Sequence, residues 1–179
     1  MNSILKFAIL PLLLLLLTGC VMGTMYERQG TSAYLEKDYA TAKAKYEEAV
    51  ASGNPQAMYH LAVMYAEGQG VEQDQCKAAE LLEKAAALGQ DDARLMLGLF
   101  NLYGDGVPRD VNKAAGLIKT AAENGNDTAM YYLANLYAAG LGVQKDVDKG
   151  LYWMLEARDA GFPVKDELLT RDGLAGLYE

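Results

Sequence analysis

Few side chains in this sequence could do chemistry. Beyond the first nineteen residues there are two cysteines, Cys20 and Cys76, two serines, Ser32 and Ser52, and one histidine, His60. Neither serine begins a Ser-x-x-Lys, and no spacing supports a Ser/His/Asp triad. A single histidine with no Cys/His cluster beside it cannot build a histidine-based metal site. Three Gly-x-Gly segments, at Gly68, Gly104 and Gly140, lack the preceding strand, the third glycine and the Lys-Ser/Thr of a phosphate loop. Asp74, Asp110 and Asp146 supply too few carboxylates per loop for calcium. The sequence therefore predicts no catalysis, no metal and no cofactor. Cys76 reads as an incidental residue near the surface of a helix, and one leftover thiol cannot pair within the chain.

Cys20 is different, because of what precedes it. Lys6 is followed by an apolar run from Phe7 to Leu17, too short for an ordinary membrane span and typical of a secretory signal. The run ends Leu17-Thr18-Gly19-Cys20, which looks like a bacterial lipobox. That resemblance implies a signal peptide over residues 1–19. It also implies diacylglycerol on the Cys20 thiol and cleavage that leaves Cys20 as an acylated N-terminus. The alternative is an ordinary signal peptide cut elsewhere. Several acyl chains anchor stably where one does not. Val21 stands where aspartate would signal inner-membrane retention, so the expected location is the outer membrane, facing the periplasm. The tether after the lipid is short, residues 20–24.

The charge excludes some partners. The chain carries 16 Lys and Arg against 24 Asp and Glu, formally −8, and losing Lys6 with the leader makes it more acidic still. Nucleic acid and anionic lipid both require basic surface, so neither is expected. Membrane attachment is expected through the N-terminal lipid alone.

The elements that would position any binding residue come from a repeat. One 36-residue pattern is written three times without a gap, over 57–92, 93–128 and 129–164. Alanine recurs at Ala57, Ala93 and Ala129, and leucine at Leu61, Leu97 and Leu133. Gly-x-Gly-Val recurs, ending in Val71, Val107 and Val143. Next come Asp74, Asp110 and Asp146, then Ala85, Ala121 and Ala157, then Gly89, Gly125 and Gly161. A period in this range marks a solenoid of stacked units. Columns one turn apart, such as Ala57, Leu61 and Tyr65, face a core, and the small column Ala62, Gly98 and Ala134 lets helices approach closely. The aspartates suit helix N-caps and the last glycine of each copy suits a left-handed helix end. Asn54 and Pro55 suit a cap followed by a first-turn proline.

This pattern resembles the Sel-1-like repeat, a relative of the tetratricopeptide repeat. The resemblance implies an all-α, right-handed superhelical solenoid of antiparallel helix pairs that serves as a protein-interaction scaffold. Residues 25–56 read as a shorter first unit, with Gly30, Ala42, Tyr46 and Ala49 at tetratricopeptide-like spacing. Its first helix, Tyr26–Lys37, is linked to the second through Glu36-Lys37-Asp38. Residues 165–179 read as a capping helix, broken near Gly173, with Leu168, Leu169, Leu174, Leu177 and Tyr178 on its apolar side. Some cysteine-rich members of the family have been linked to penicillin binding, but their paired cysteines are absent here.

Binding is what remains. In tetratricopeptide-like stacks one side of the first helix lines a concave groove. The positions on that side do not repeat chemically: Tyr59, His60, Val63, Glu67; Met96, Leu99, Tyr103; Tyr132, Asn135. Aromatic and methionine side chains there suit capture of a helix or peptide. Tyr59, Leu95 and Tyr131 fit either groove or inter-repeat core, and Trp153 reads as packed. The expected function is a non-catalytic, membrane-anchored periplasmic scaffold that binds a protein through the groove. The alternative is an immunity lipoprotein that neutralises a secreted toxic enzyme. A penicillin-interacting enzyme is the weakest reading.

Overall fold

The structure is a computed structural model that describes residues 21–178. The signal peptide and Cys20 lie outside the described residues. Every regular element among them is helical. The chain divides into two compact units, Met1–Leu88 and Gly89–Glu179.

In the first unit, α1 covers residues 21–35. It is followed by α2 (Tyr39–Ala51), α3 (Pro55–Glu67) and α4 (Gln75–Ala87). The expected tether is not a tether: 21–24 are already the first turn of α1. The Thr24 hydroxyl donates to the Val21 carbonyl at 2.8 Å. A Cβ at Gly23 would lie 3.1 Å from Cβ of Ser52, just past the end of α2, so this turn is packed. The helix ends before Lys37, which takes φ +63°, and Asp38 then accepts from the Thr41 amide to start α2. Gly30 is where α1 meets α2, since a Cβ there would be 2.7 Å from the Tyr46 ring. Tyr46 is fully buried beneath it.

The second unit contains α5 (Asp91–Tyr103), α6 (Val111–Glu123), α7 (Asp127–Ala139) and α8 (Val147–Asp159). A 3-10 turn (Asp166–Leu168) and a short α9 (Arg171–Ala175) complete it. Consecutive helices pack as antiparallel pairs, and α9 packs on both α7 and α8.

Each helix from α2 to α8 is 13 residues long because its ends are written into the sequence. Asp74, Asp110 and Asp146 each accept a backbone N–H of the first turn of the following helix. Asn54, Gln90 and Asn126 do the same for α3, α5 and α7. A cap of this kind contributes on the order of 1 kcal/mol to its helix. Between the helices of a repeat, one bond recurs: the amide of Asp74, Asp110 or Asp146 donates back to the carbonyl of Tyr65, Asn101 or Tyr137 at 2.8–2.9 Å. It closes the Gly-x-Gly-Val loop onto the preceding helix and leaves Val71, Val107 and Val143 half-buried.

The core follows the columns. Ala57, Ala93, Ala129 and Leu133 are fully buried, and Leu61 and Leu97 nearly so. At the next turn Tyr65 and Asn101 are buried, whereas Tyr137 is only half-buried. Asn101 satisfies its amide by donating to the Leu97 carbonyl at 2.8 Å. In the second unit Ile118 is fully buried among Leu95, Leu102, Leu133 and Leu136, worth about 1.5–3 kcal/mol for such a side chain. Gly98 lets α5 meet α6, since a Cβ there would lie 2.7 Å from Ile118. Trp153 is half-buried and packs against core residues.

The end of the chain is not one capping helix. The break falls at Leu169 and Thr170, not at Gly173. Thr170 is extended and its hydroxyl accepts from the Gly173 amide at 3.0 Å, which starts α9. Gly173 lies inside α9, where a Cβ would fall 1.7 Å from the Glu167 carbonyl oxygen. Leu174 is fully buried against Ala134, Ala138 and Met154. Leu168 is buried too, but Leu177 and Tyr178 are exposed, so the expected apolar side is only partly covered.

Candidate functional site

The last turn of α5, the middle of α7, two loop residues and the segment after α9 enclose a hollow of about 450 Å³ in the second unit. Its walls include Tyr103, Tyr131, Tyr132, Tyr178, Arg109 and Asn135. Leucines at 102, 136 and 141 provide the apolar remainder.

The amide of Asn135 organises one side. Its Nδ2 donates to the Tyr131 carbonyl one turn back at 2.7 Å. Its Oδ1 accepts from the Tyr178 hydroxyl at 2.7 Å. The Tyr131 ring stacks on Phe162 with centroids 4.7 Å apart, and meets Tyr132 edge-on at 5.8 Å. Burial raises the phenol pKa values of Tyr132 and Tyr178, and the neighbouring tyrosines add to the shift. Both phenols therefore stay protonated at neutral pH; the Tyr178 proton is already donated to Asn135, and the Tyr132 hydroxyl can donate to an occupant. Arg109 is held by its Nε, which donates to the Leu102 carbonyl at 2.9 Å. The hollow thus offers aromatic faces, phenol donors and one cation. Among the described residues that line it there is no thiol, imidazole or carboxylate, and its aromatic faces and cation suit binding.

Three of the groove residues expected from the sequence, Tyr103, Tyr132 and Asn135, meet here. Tyr103 is 65% exposed, a large aromatic surface facing solvent. Leu99 does not line the hollow; it packs against the core cluster around Ile118. Met96 is half-buried and also lies outside the lining. Tyr131 does both things that its position allows, packing on Phe162 and lining the hollow, whereas Leu95 is core.

The remaining four groove candidates belong to the first unit, where α1 engages α3. His60 Nε2 is 3.5 Å from Glu27 Oε1 on α1. Its ring stacks on Tyr46 with centroids 5.2 Å apart, and its Nε2 is 3.1 Å from Nε2 of Gln56. Tyr59 is half-buried with its ring tilted against His60. Val63 is half-buried and Glu67 is exposed. Glu67 bears on Tyr34 of α1, whose phenol pKa is raised first by burial and then by that carboxylate. His60 is thus a packing residue between helices as well as a surface one.

Arg109, Leu141 and Tyr178 were not legible as site residues. Arg109 and Leu141 sit in loops where the repeat requires only Gly-x-Gly-Val, and Tyr178 reaches Asn135 from 43 positions away. Among the described residues no group of three or more His, Cys, Asp or Glu could hold a metal ion. No helix among them is long and apolar enough to cross a membrane. Cys76 is a free thiol on the surface.

Capped helix hairpins of constant length, repeated with the same loop bond, define a helical-repeat scaffold. The pattern of the Sel1 repeat matches residues 55–90, 91–126 and 127–162. That is more than half of the chain, and the chain belongs to the Sel1 repeat family. Proteins of this family are generally non-catalytic scaffolds that bind protein partners.

Solved structures agree. A Sel1 repeat protein from Oxalobacter formigenes is 28% identical, with a TM-score of 0.74 over 85% of this chain. The antigen c5321, described as protective and present in uropathogenic Escherichia coli strains, displays an SLR fold. It is 33% identical, with a TM-score of 0.70 over 86% of this chain. The chain spans 60% and 31% of the length of those two proteins. Helicobacter pylori cysteine rich protein B, 24% identical with a TM-score of 0.52, is covered over 90% of its length by 66% of this chain, and it shares the fold. No curated protein matches the chain.

Proposed function

We propose that the protein is a lipid-anchored scaffold of the bacterial cell envelope, facing the periplasm, and that it captures a protein partner through the hollow of its second unit. The observation that carries the binding half is the meeting of Tyr103, Tyr132 and Asn135, three groove positions read from the sequence, around one hollow. An exposed aromatic beside a preorganised amide and a cation is the composition of an interaction hot spot. The anchoring half rests on the Lys6–Leu17 leader and the Leu17-Thr18-Gly19-Cys20 box. Because 21–24 are already part of α1, an acylated Cys20 would put the first helix directly at the membrane surface. Reach toward a partner would then be short.

The test is cross-linked capture from native envelopes with wild type, Cys20→Ala and Tyr103→Asp. Tyr103 is the right position because its exposure spares the core, whereas Leu99→Asp would unsettle packing. The expected result is one stoichiometric partner, lost in both variants at unchanged melting temperature. Capture that survives Tyr103→Asp sinks the binding half, and unaltered membrane fractionation of Cys20→Ala sinks the anchoring half. A toxic secreted enzyme as the captured partner would assign the scaffold to immunity.

A further inference from the structure

The hollow also specifies the chemistry of its occupant, on the footing that it is the partner-binding site. None of the acidic residues among the described residues lines the hollow, and the one charged side chain in its described lining is Arg109. Among the described residues no carboxylate pairs with that guanidinium; its Nε bond to the Leu102 carbonyl fixes where it stands. An arginine held in place beside apolar walls suits a carboxylate, which it can meet through two parallel bonds. Around it, Tyr103, Tyr131 and Tyr132 present rings on which a planar or branched side chain can lie.

Tyr178 completes this arrangement. It comes from the segment after α9, and that segment is fixed by the buried Leu174 and by the Tyr178–Asn135 bond. The 450 Å³ remain open with Tyr178 in place. It is therefore a wall of the site rather than a plug. That volume lies within the range of ordinary ligand pockets, about 300–1,000 Å³.

We infer that the hollow binds an extended protein segment that carries an aromatic residue and a carboxylate close together, the ring lying among the tyrosines and the carboxylate on Arg109, and that Tyr178 sets this preference as its outer wall. The long-range field of an acidic protein disfavours acidic partners. The local cation then selects segments whose single carboxylate falls at the right place.

The probes are three blocked peptides of one length, carrying tyrosine followed by glutamate, by glutamine or by lysine. Each is titrated into the full chain and followed by calorimetry and by amide NMR shifts. The expected order is glutamate over glutamine over lysine, with about a tenfold spread in Kd from first to last. Arg109→Gln should level that order. Tyr178→Ala should weaken the glutamate peptide several-fold with the melting temperature held. Peptide changes leave the fold untouched, so the order remains readable if a protein variant is destabilised. Equal affinity for the three peptides, no saturable binding at millimolar concentration, or shifts outside the hollow would overturn the inference. So would saturable binding of a soluble oligosaccharide with none of peptide. If the peptides fail while Tyr103→Asp still abolishes partner capture, the hollow binds a partner of other chemistry and the scaffold reading stands. If capture survives Tyr103→Asp, that reading falls by itself.

Discussion

The hydroxyl of Tyr178 donates to Oδ1 of Asn135 at 2.7 Å while Nδ2 of the same amide donates to the Tyr131 carbonyl at 2.7 Å. The second bond fixes the orientation of the amide, so its oxygen faces the segment after α9. Tyr178→Phe removes one bond at an exposed site, for which a net loss of about 0.5–1 kcal/mol is expected. The effect should be local. Hydrogen exchange at residues 174–178 should speed up several-fold, and the thermal midpoint should stay within a degree or two.

Leu174 is what holds that segment. Its side chain is fully buried against Ala134, Ala138 and Met154. Leu174→Ala removes roughly 2–5 kcal/mol of packing at such a site. That is enough to release a five-residue helix. Exchange protection in α9 should be lost while α5 and α6 keep theirs. Uniform loss of protection across the second unit would show instead that α9 is integral to it.

Two glycines should answer oppositely to alanine. Gly142 has φ +68°, and a Cβ there would lie 2.1 Å from the Val111 carbonyl oxygen, which is backbone and cannot move aside. Gly142→Ala should destabilise by roughly 2–4 kcal/mol, strain and overpacking together. Gly116, inside α6, has nothing within 4 Å of its Cβ position. Gly116→Ala should stabilise by about 0.5–1 kcal/mol. Urea melts of the two variants check both signs.

The caps make stability pH-dependent. Asp38 and Asp146 have lowered pKa values, chiefly through the bonds that they accept from Thr41 and Lys149 at the starts of α2 and α8. A carboxylate whose folded pKa lies below its unfolded value contributes stability above the unfolded value of 3.8. That contribution disappears as pH falls through the folded value. The thermal midpoint should therefore drop on acidification below about pH 4. In the double variant Asp38→Asn, Asp146→Asn, where the amides still cap but do not titrate, the drop should be shallower. An identical pH profile would show that other carboxylates govern acid sensitivity.

Much of the fold was readable because the interactions that bound each helix are local. A cap three residues from its donor, or a glycine with positive φ at Gly53, Gly89, Gly125 and Gly161, depends only on neighbours along the chain. A period of 36 residues then repeats those local decisions, so the sequence alone determined the helix hairpins, the core columns and the family. It also singled out Tyr103, Tyr132 and Asn135, which line one hollow in the structure. Tertiary structure decided where the repeat rule stops. The first turn of α1 packs where a tether was expected, because Gly23 brings the backbone against the end of α2. His60 stacks on Tyr46 because α1 and α2 supply partners that no spacing announces. Arg109 and Tyr178 join the hollow from a loop and from a segment 43 residues beyond Asn135. Repeat periodicity specifies which side of a helix faces inward. Which distant side chain closes an open end depends on how the chain folds back after its last repeat.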